Sequence, residues 1–280
     1  MATSAEMGSL SPWRDSGSLD EGQAREHAAR LELRAAAASE IVVRDEYVRL
    51  LGISPGERVL DVGCGTGTAT RTLAQSVVPN GRVTGIDPSG ALLKITRELA
   101  DKAGLGTLIE LKEGDCRALP FADASFDAVL AATALSHVAG PEIALAEMVR
   151  VTRPGGRVGV FDVDGDLTLF SHPDRELTRR IVACYSDRGW VNGWLMRELP
   201  GLLADLGLVG VKTKAFMPLE AGGYYAGRAE RSAEAAAAAG EISRDELTRW
   251  LETLRQQIAG QRFLGGQVHL FAWGTRPQDQ

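Results

Sequence analysis

Cysteine is scarce in this chain and never closely paired: Cys64, Cys116 and Cys184 form no C-x-x-C spacing. A disulfide framework or a thiolate metal site needs such pairs, so these thiols are expected to be small apolar fillers in a reducing, cytoplasmic protein. An excess of positive charge is absent too. Against 31 Lys and Arg stand 37 Asp and Glu, a formal net charge of −6. A sequence-independent nucleic-acid binder needs a lysine- or arginine-rich face to compensate phosphates, and no nucleic-acid partner is expected here. The first twenty residues show no basic stretch followed by an apolar one, and no apolar run reaches membrane-spanning length. Neither export nor a membrane partner is expected.

What the chain does have is hydrophobic content of 44% over 280 residues, enough for one substantial core and a smaller satellite. Residues 1–20 read as a poorly ordered tail and 21–280 as a single domain, opening with an alanine- and arginine-rich helical region at 21–51. The alanines alternate with Glu and Arg and have high helix propensity, unlike a Pro-, Gly- and Ser-rich disordered tract. Five strand-plus-helix units follow, with strands near 58–62, 82–86, 107–112, 126–131 and 157–161. That alternation predicts an α/β fold: a mostly parallel sheet with helices on both faces. Strands at 209–218 and 267–275 complete seven, and between them lies a helical insert, 221–261, with a Gly240 stop and a Ser243 cap. The insert is expected to be a lid over a substrate pocket, with a homodimerisation arm as the competing use.

The most informative stretch is Arg58-Val-Leu-Asp-Val-Gly-Cys-Gly-Thr-Gly-Thr68, an apolar strand that breaks into a glycine turn and opens a helix. Glycines there permit positive φ and let backbone N–H groups lie against a ligand at the helix N-terminus. A dinucleotide fingerprint requires G-x-G-x-x-G, but the sixth position counted from Gly63 is Thr68 and from Gly65 is Thr70. This spacing disfavours an NAD-type oxidoreductase. What remains is D-x-G-x-G-x-G through Asp61, Gly63, Gly65 and Gly67, with an acid at the strand end that suits a cationic ligand. A second strand ends in Asp87, about 20 residues past the glycine turn, where a carboxylate typically accepts from ribose hydroxyls. A third leads into Asp115-Cys116, placed to meet an adenine amino group and a ring nitrogen.

With these motifs, and with Gly85-Ile-Asp-Pro-Ser89, Gly114-Asp-Cys-Arg-Ala-Leu-Pro-Phe121 and Leu145-Ala-Glu-Met-Val-Arg-Val-Thr-Arg-Pro-Gly-Gly156, the chain resembles class I S-adenosylmethionine-dependent methyltransferases, in the subgroup of the ubiquinone/menaquinone biosynthesis enzymes. The resemblance implies a Rossmann-like sheet whose last two strands are an antiparallel pair, and S-adenosyl-L-methionine as cofactor. It implies that the glycine loop with Cys64 holds the methionyl part, Asp87 and Pro88 the ribose, Asp115 and Cys116 the adenine, with Thr133 beside them. It also places candidate bases after the fourth and fifth strands: His137, the first choice, and Asp162 with Asp164. Asp162 and Asp164 equally suit a turn before the next helix, with Gly165 as the turn residue. No metal site is expected. The reaction implied is methyl transfer to a small-molecule acceptor through C, O or N. A cyclase-like use of the bound cofactor and a non-catalytic binding module are the alternatives.

Overall fold

The computed structural model describes residues 16–278. Residues 1–15, most of the expected tail, lie outside that range. Ser16–Ser18 form a short 3-10 turn, and Asp20 then caps α1 (Glu21–Ala35). Its carboxylate accepts from Gln23 N at 2.8 Å while the Gln23 side chain accepts from Asp20 N at 3.1 Å. This reciprocal pair satisfies two N–H groups at the start of the helix. A break at Ala36 and Ala37 separates α1 from α2 (Ala38–Leu51), which stops at Gly52 with φ +70°.

Strand β1 (Arg58–Val62) is buried at four of its five positions, as a strand covered by helices on both faces must be. It leads into α3 (Thr68–Ser76), followed by β2 (Arg82–Asp87), α4 (Gly90–Lys102), β3 (Ile109–Glu113), β4 (Phe126–Ala132) and α5 (Pro141–Val151). Then come β5 (Thr152–Phe170), α6 (Arg175–Arg188), α7 (Leu195–Asp205), β6 (Val209–Phe216), β7 (Leu219–Glu220), α8 (Gly223–Ala238), α9 (Arg244–Ala259) and β8 (Gly265–Thr275). Neighbours run β3-β2-β1-β4-β5-β8-β6, with the two-residue β7 added to β8. Pairs from β3 to β5 are parallel, and β8 lies antiparallel between β5 and β6.

One apolar layer packs α5 and α7 on the sheet through Leu145, Met148 and Leu199. The opposite layer uses α2 and α3, through Tyr47, Leu51 and Leu73. A satellite core joins α6, α8 and α9 around Ile181, Tyr225 and Trp250. Helix α9 carries a second capping box, in which Ser243 N donates to Glu246 at 2.7 Å and Glu246 N to Ser243 Oγ at 3.2 Å. Among the described residues no helix is long and apolar enough to cross a membrane.

Two local readings require correction. The fifth strand is 19 residues long, extended past Phe161 because it pairs with β8 on both sides of an irregularity between Val163 and Thr168. Asp162, Asp164 and Gly165 therefore belong to this strand and not to a turn ahead of a helix. Gly165 N donates to Gly193 O at 2.9 Å.

Candidate functional site

The chain runs from β1 outward to β3 and then returns to β4 on the other side of β1. The carboxyl ends of β1 and β4 thus diverge, leaving a crevice at the switch point where open α/β sheets bind ligands. A cavity of about 650 Å³ occupies it, within the range of small-molecule sites.

The glycine loop forms its floor. Gly63 N and Cys64 N donate to Ile86 O at 2.8 and 3.0 Å, so the loop turns across the end of β2. Gly63 has φ +69°, and a Cβ there would sit 2.5 Å from the Ala134 Cβ. No other residue type fits without moving the β4 loop. Gly63, Cys64 and Gly65 face the cavity. Gly67 is absent from the wall: it lies behind the loop, at φ +75°, as the N-cap of α3, with its N–H donating to Cys64 O at 2.7 Å. Its contribution is the shape of the turn. Burial pushes the Cys64 thiol well above its ordinary range and the Cys116 thiol up to about 11, so both are neutral at physiological pH.

Asp87 ends β2 facing the cavity. One carboxylate oxygen accepts from Gly65 N and the other from Ser89 N, each at 2.9 Å. Burial raises its pKa, and the two backbone N–H groups work against that rise. Pro88 lies beside it on the wall, as do Asp115 and Cys116. The Asp115 carboxylate is held by Arg117 at 2.7 Å on a half-exposed rim, and that hydrogen bond is the main cause of its lowered pKa. Thr133 also lines the cavity, in the left-handed region at φ +53°. That backbone is costly for a β-branched residue. Its N–H donates to Phe161 O at 2.6 Å.

Asp61 and Asp162 do not reach the cavity wall. Asp61 turns toward α3, where the Thr70 hydroxyl donates to it at 2.6 Å, and burial pushes its pKa up to about 7. Asp162, expected as a candidate base, is fully buried and accepts from Ser136 N, Ser136 Oγ and Val163 N at 3.0, 2.7 and 2.9 Å. It is a strut. The turn it fixes, Leu135–His137, presents His137 to the cavity. Asp164 is likewise occupied, by Arg197 at 2.6 and 2.8 Å. His137 packs on Trp190, with ring centroids 4.8 Å apart. Burial, with the Arg228 and Arg34 charges, pushes its pKa down to about 3, so the imidazole is neutral near pH 7.

Residues 59–156 match the family model described as a methyltransferase domain. A demethylmenaquinone methyltransferase of Bacillus cytotoxicus is 31% identical over 62% of this chain and 78% of its own length. The chain belongs to the class I S-adenosylmethionine-dependent methyltransferases. An uncharacterized protein in transposon TN4556 of Streptomyces fradiae is 34% identical over 86% of this methyltransferase and 70% of its own length. Matches to ubiquinone/menaquinone biosynthesis C-methyltransferases span about half of their length. A solved structure from Bacillus halodurans C-125 shares the fold at 17% identity, with TM-score 0.61, covering 84% of this chain and 99% of that one.

The methyltransferase builds the remaining walls from helices outside the matched segment. Helix α1 contributes Leu31 and Arg34, and α8 contributes Tyr224, Arg228 and Arg231. Glu32 holds α1 against the glycine loop, accepting from the Thr66 hydroxyl at 2.7 Å and from Arg71 at 2.8 Å. Arg34 and Arg228 are not among the site residues expected from the sequence. A signal for Arg228 was there: Tyr224, Arg228 and Arg231 recur at helical spacing and share one face of α8.

Proposed function

We propose that this chain binds S-adenosylmethionine with the glycine loop, Asp87 and the Asp115–Cys116 segment, and transfers its methyl group to a small-molecule acceptor seated between His137, Trp190 and Tyr224. The observation that carries this reading is the Asp87 clamp. A buried carboxylate that ties Gly65 to the end of β2 still has acceptor capacity on both oxygens, and it faces the cavity where a ribose diol would lie. When bound, the cofactor supplies a methyl group on a sulfonium, open to in-line displacement.

The chain's own part is then to align the acceptor and exclude water. The insert bears on this directly, because α8 packs on α1 and α6 and closes one side of the cavity. His137 stays neutral, which fits it to hydrogen-bond an acceptor and makes it a weak proton acceptor. Calorimetry with S-adenosylhomocysteine should show binding, and NADH should give no heat; silence with S-adenosylhomocysteine would sink the assignment.

A second expected result concerns His137. Because a general base works best with a pKa near the operating pH and contributes roughly a hundredfold or more, His137→Gln should lower kcat by less than about tenfold. The wild-type kcat/KM profile should show no inflection near the ordinary histidine value of about 6.5 that the variant removes. A larger loss, with such an inflection, would make His137 the base.

A further inference from the structure

The arginines of the cavity are not alike. Arg30 is paired with Glu26 at 2.7 Å, Arg34 with Glu40 at 3.1 Å, and Arg117 with Asp115 at 2.7 Å. Arg231, on α8, has no carboxylate within ion-pair distance among the described residues, and neither has Arg228 on the same helix. The Arg228 guanidinium is surrounded instead by rings, at 4.9 Å from the centroid of Tyr224, 5.3 Å from Tyr185 and 5.7 Å from Trp190. One Nη donates to the Tyr224 hydroxyl, while Nε is shut off from solvent and has no hydrogen-bond partner.

This arrangement is expensive in isolation. Arg228 is half-buried, and a charge taken even partly out of water is normally paired or hydrogen-bonded. Cation–π contact with three rings offsets part of it. Arg231, one turn further along α8, adds a second positive group to the same wall. The only carboxylates on the cavity wall among the described residues are Asp87 and Asp115, both at the glycine-loop end. The other end, bounded by His137, Tyr185, Trp190 and Tyr224, is aromatic and cationic.

Building on the methyl-transfer reading above, we propose that the acceptor is a small aromatic carboxylic acid, whose carboxylate is held by Arg228 and whose ring lies among Tyr185, Trp190 and Tyr224. A guanidinium presents a rigid fork of donors that matches a carboxylate; one Nη is taken by the Tyr224 hydroxyl, and the covered Nε–H joins the fork only when a ring beside it gives way to the ligand. One bound carboxylate would supply the counter-ion that Arg228 lacks among the described residues. An aromatic lining favours a ring in the body of the ligand, and Tyr185 and Trp190, edge-on to each other at 5.6 Å, offer it both a face and an edge. Arg228 is in this view a specificity-determining residue for the acceptor and has no part in holding the cofactor.

The test is calorimetry with benzoate as probe and benzamide as its neutral counterpart, on protein saturated with S-adenosylhomocysteine. Benzoate should bind, benzamide should bind at least about tenfold more weakly, and Arg228→Met should weaken benzoate by a similar factor while leaving S-adenosylhomocysteine affinity unchanged. Should Arg228→Met fail to fold, the wild type still decides: the Arg228 Nε–H resonance should shift on titration with benzoate and stay in place with benzamide. Cofactor binding without benzoate binding, or benzoate and benzamide binding alike, overturns the acceptor inference and leaves the methyltransferase reading standing. Inorganic phosphate binding more tightly than benzoate overturns the carboxylate assignment. Failure to bind S-adenosylhomocysteine at all overturns the reading on which this one rests.

Discussion

Asp87→Ala is expected to weaken S-adenosylhomocysteine binding by roughly tenfold to a hundredfold or slightly more, on the order of 1.5 to 3 kcal/mol. Two effects add. The variant removes the acceptor proposed for the ribose hydroxyls, and it removes the partner of Gly65 N and Ser89 N, so the glycine loop loses its tie to the end of β2. The sequence pattern suggests that Asp87→Asn is milder, since one acceptor oxygen survives. The structure changes that expectation. Both carboxylate oxygens face backbone N–H donors, so an amide would turn its NH₂ toward one of them and set donor against donor. Asp87→Asn should therefore fall close to Asp87→Ala. Calorimetry on both variants, with thermal unfolding as a check on folding, decides it; affinity unchanged in Asp87→Ala would refute the role.

Asp61→Asn is expected to stabilise the protein, and by more as pH rises. Asp61 is buried, and among the described residues the Thr70 hydroxyl is its one side-chain hydrogen-bond donor; burial pushes its folded pKa up to about 7 while the unfolded value stays near the ordinary one. Below the unfolded value the carboxyl is protonated in both states and contributes no difference. Between the two values the folded state holds a proton that the unfolded state has released, so wild-type stability falls as pH rises. Above about 7 the group is ionised in both states and its full burial penalty remains. An asparagine keeps an oxygen for Thr70 without the charge. The gain over wild type should be near zero at about pH 3, grow through the intermediate range and level off above about pH 7, reaching a few kcal/mol. Urea denaturation of both proteins across pH measures it. His137 and His269, each with a pKa pushed down to about 3, act in the opposite sense: the unfolded chain takes up their protons as pH drops below about 6.5. The difference between variant and wild type cancels them. A gain that shrinks as pH rises would contradict the burial argument.

The parts of the site readable from sequence are those whose cause is local. Gly63 and Gly65 stand between a strand and a helix within a dozen residues, and their positive φ follows from that junction. Asp87 is legible because it closes a strand at a fixed distance from the glycine turn. Asp61 belongs to the same motif and yet turns away from the cavity, because Thr70 on α3 supplies a hydroxyl that only the folded helix brings near. Asp162 is less legible still. Its position after the fifth strand matches a catalytic residue, but its role is set by Ser136 on a separate turn. The length of β5 was hidden for a similar reason, since its second half is a strand by virtue of β8, which lies about a hundred residues further on. Arg34 and Arg228 meet at one cavity through the packing of α1 on α8, a contact that no spacing within either helix encodes.

The position of β8 bears on how the chain is made. Synthesis completes the parallel block from β1 to β4 once Ala132 has emerged, and every strand in it already has a neighbour. The antiparallel side has no such sequence of completions. Strand β6 is translated well before β8, yet β8 separates it from the rest of the sheet and is its only strand neighbour among the described residues. Until residues 265–275 leave the ribosome, β6 is an edge with nothing to pair, and the far side of β5 is open as well. An unpaired edge in a partly folded chain is a site for misassociation. The sheet is thus most exposed until residues 265–275 arrive, with its glycine-rich half already made, and β8 then closes two open edges in one step.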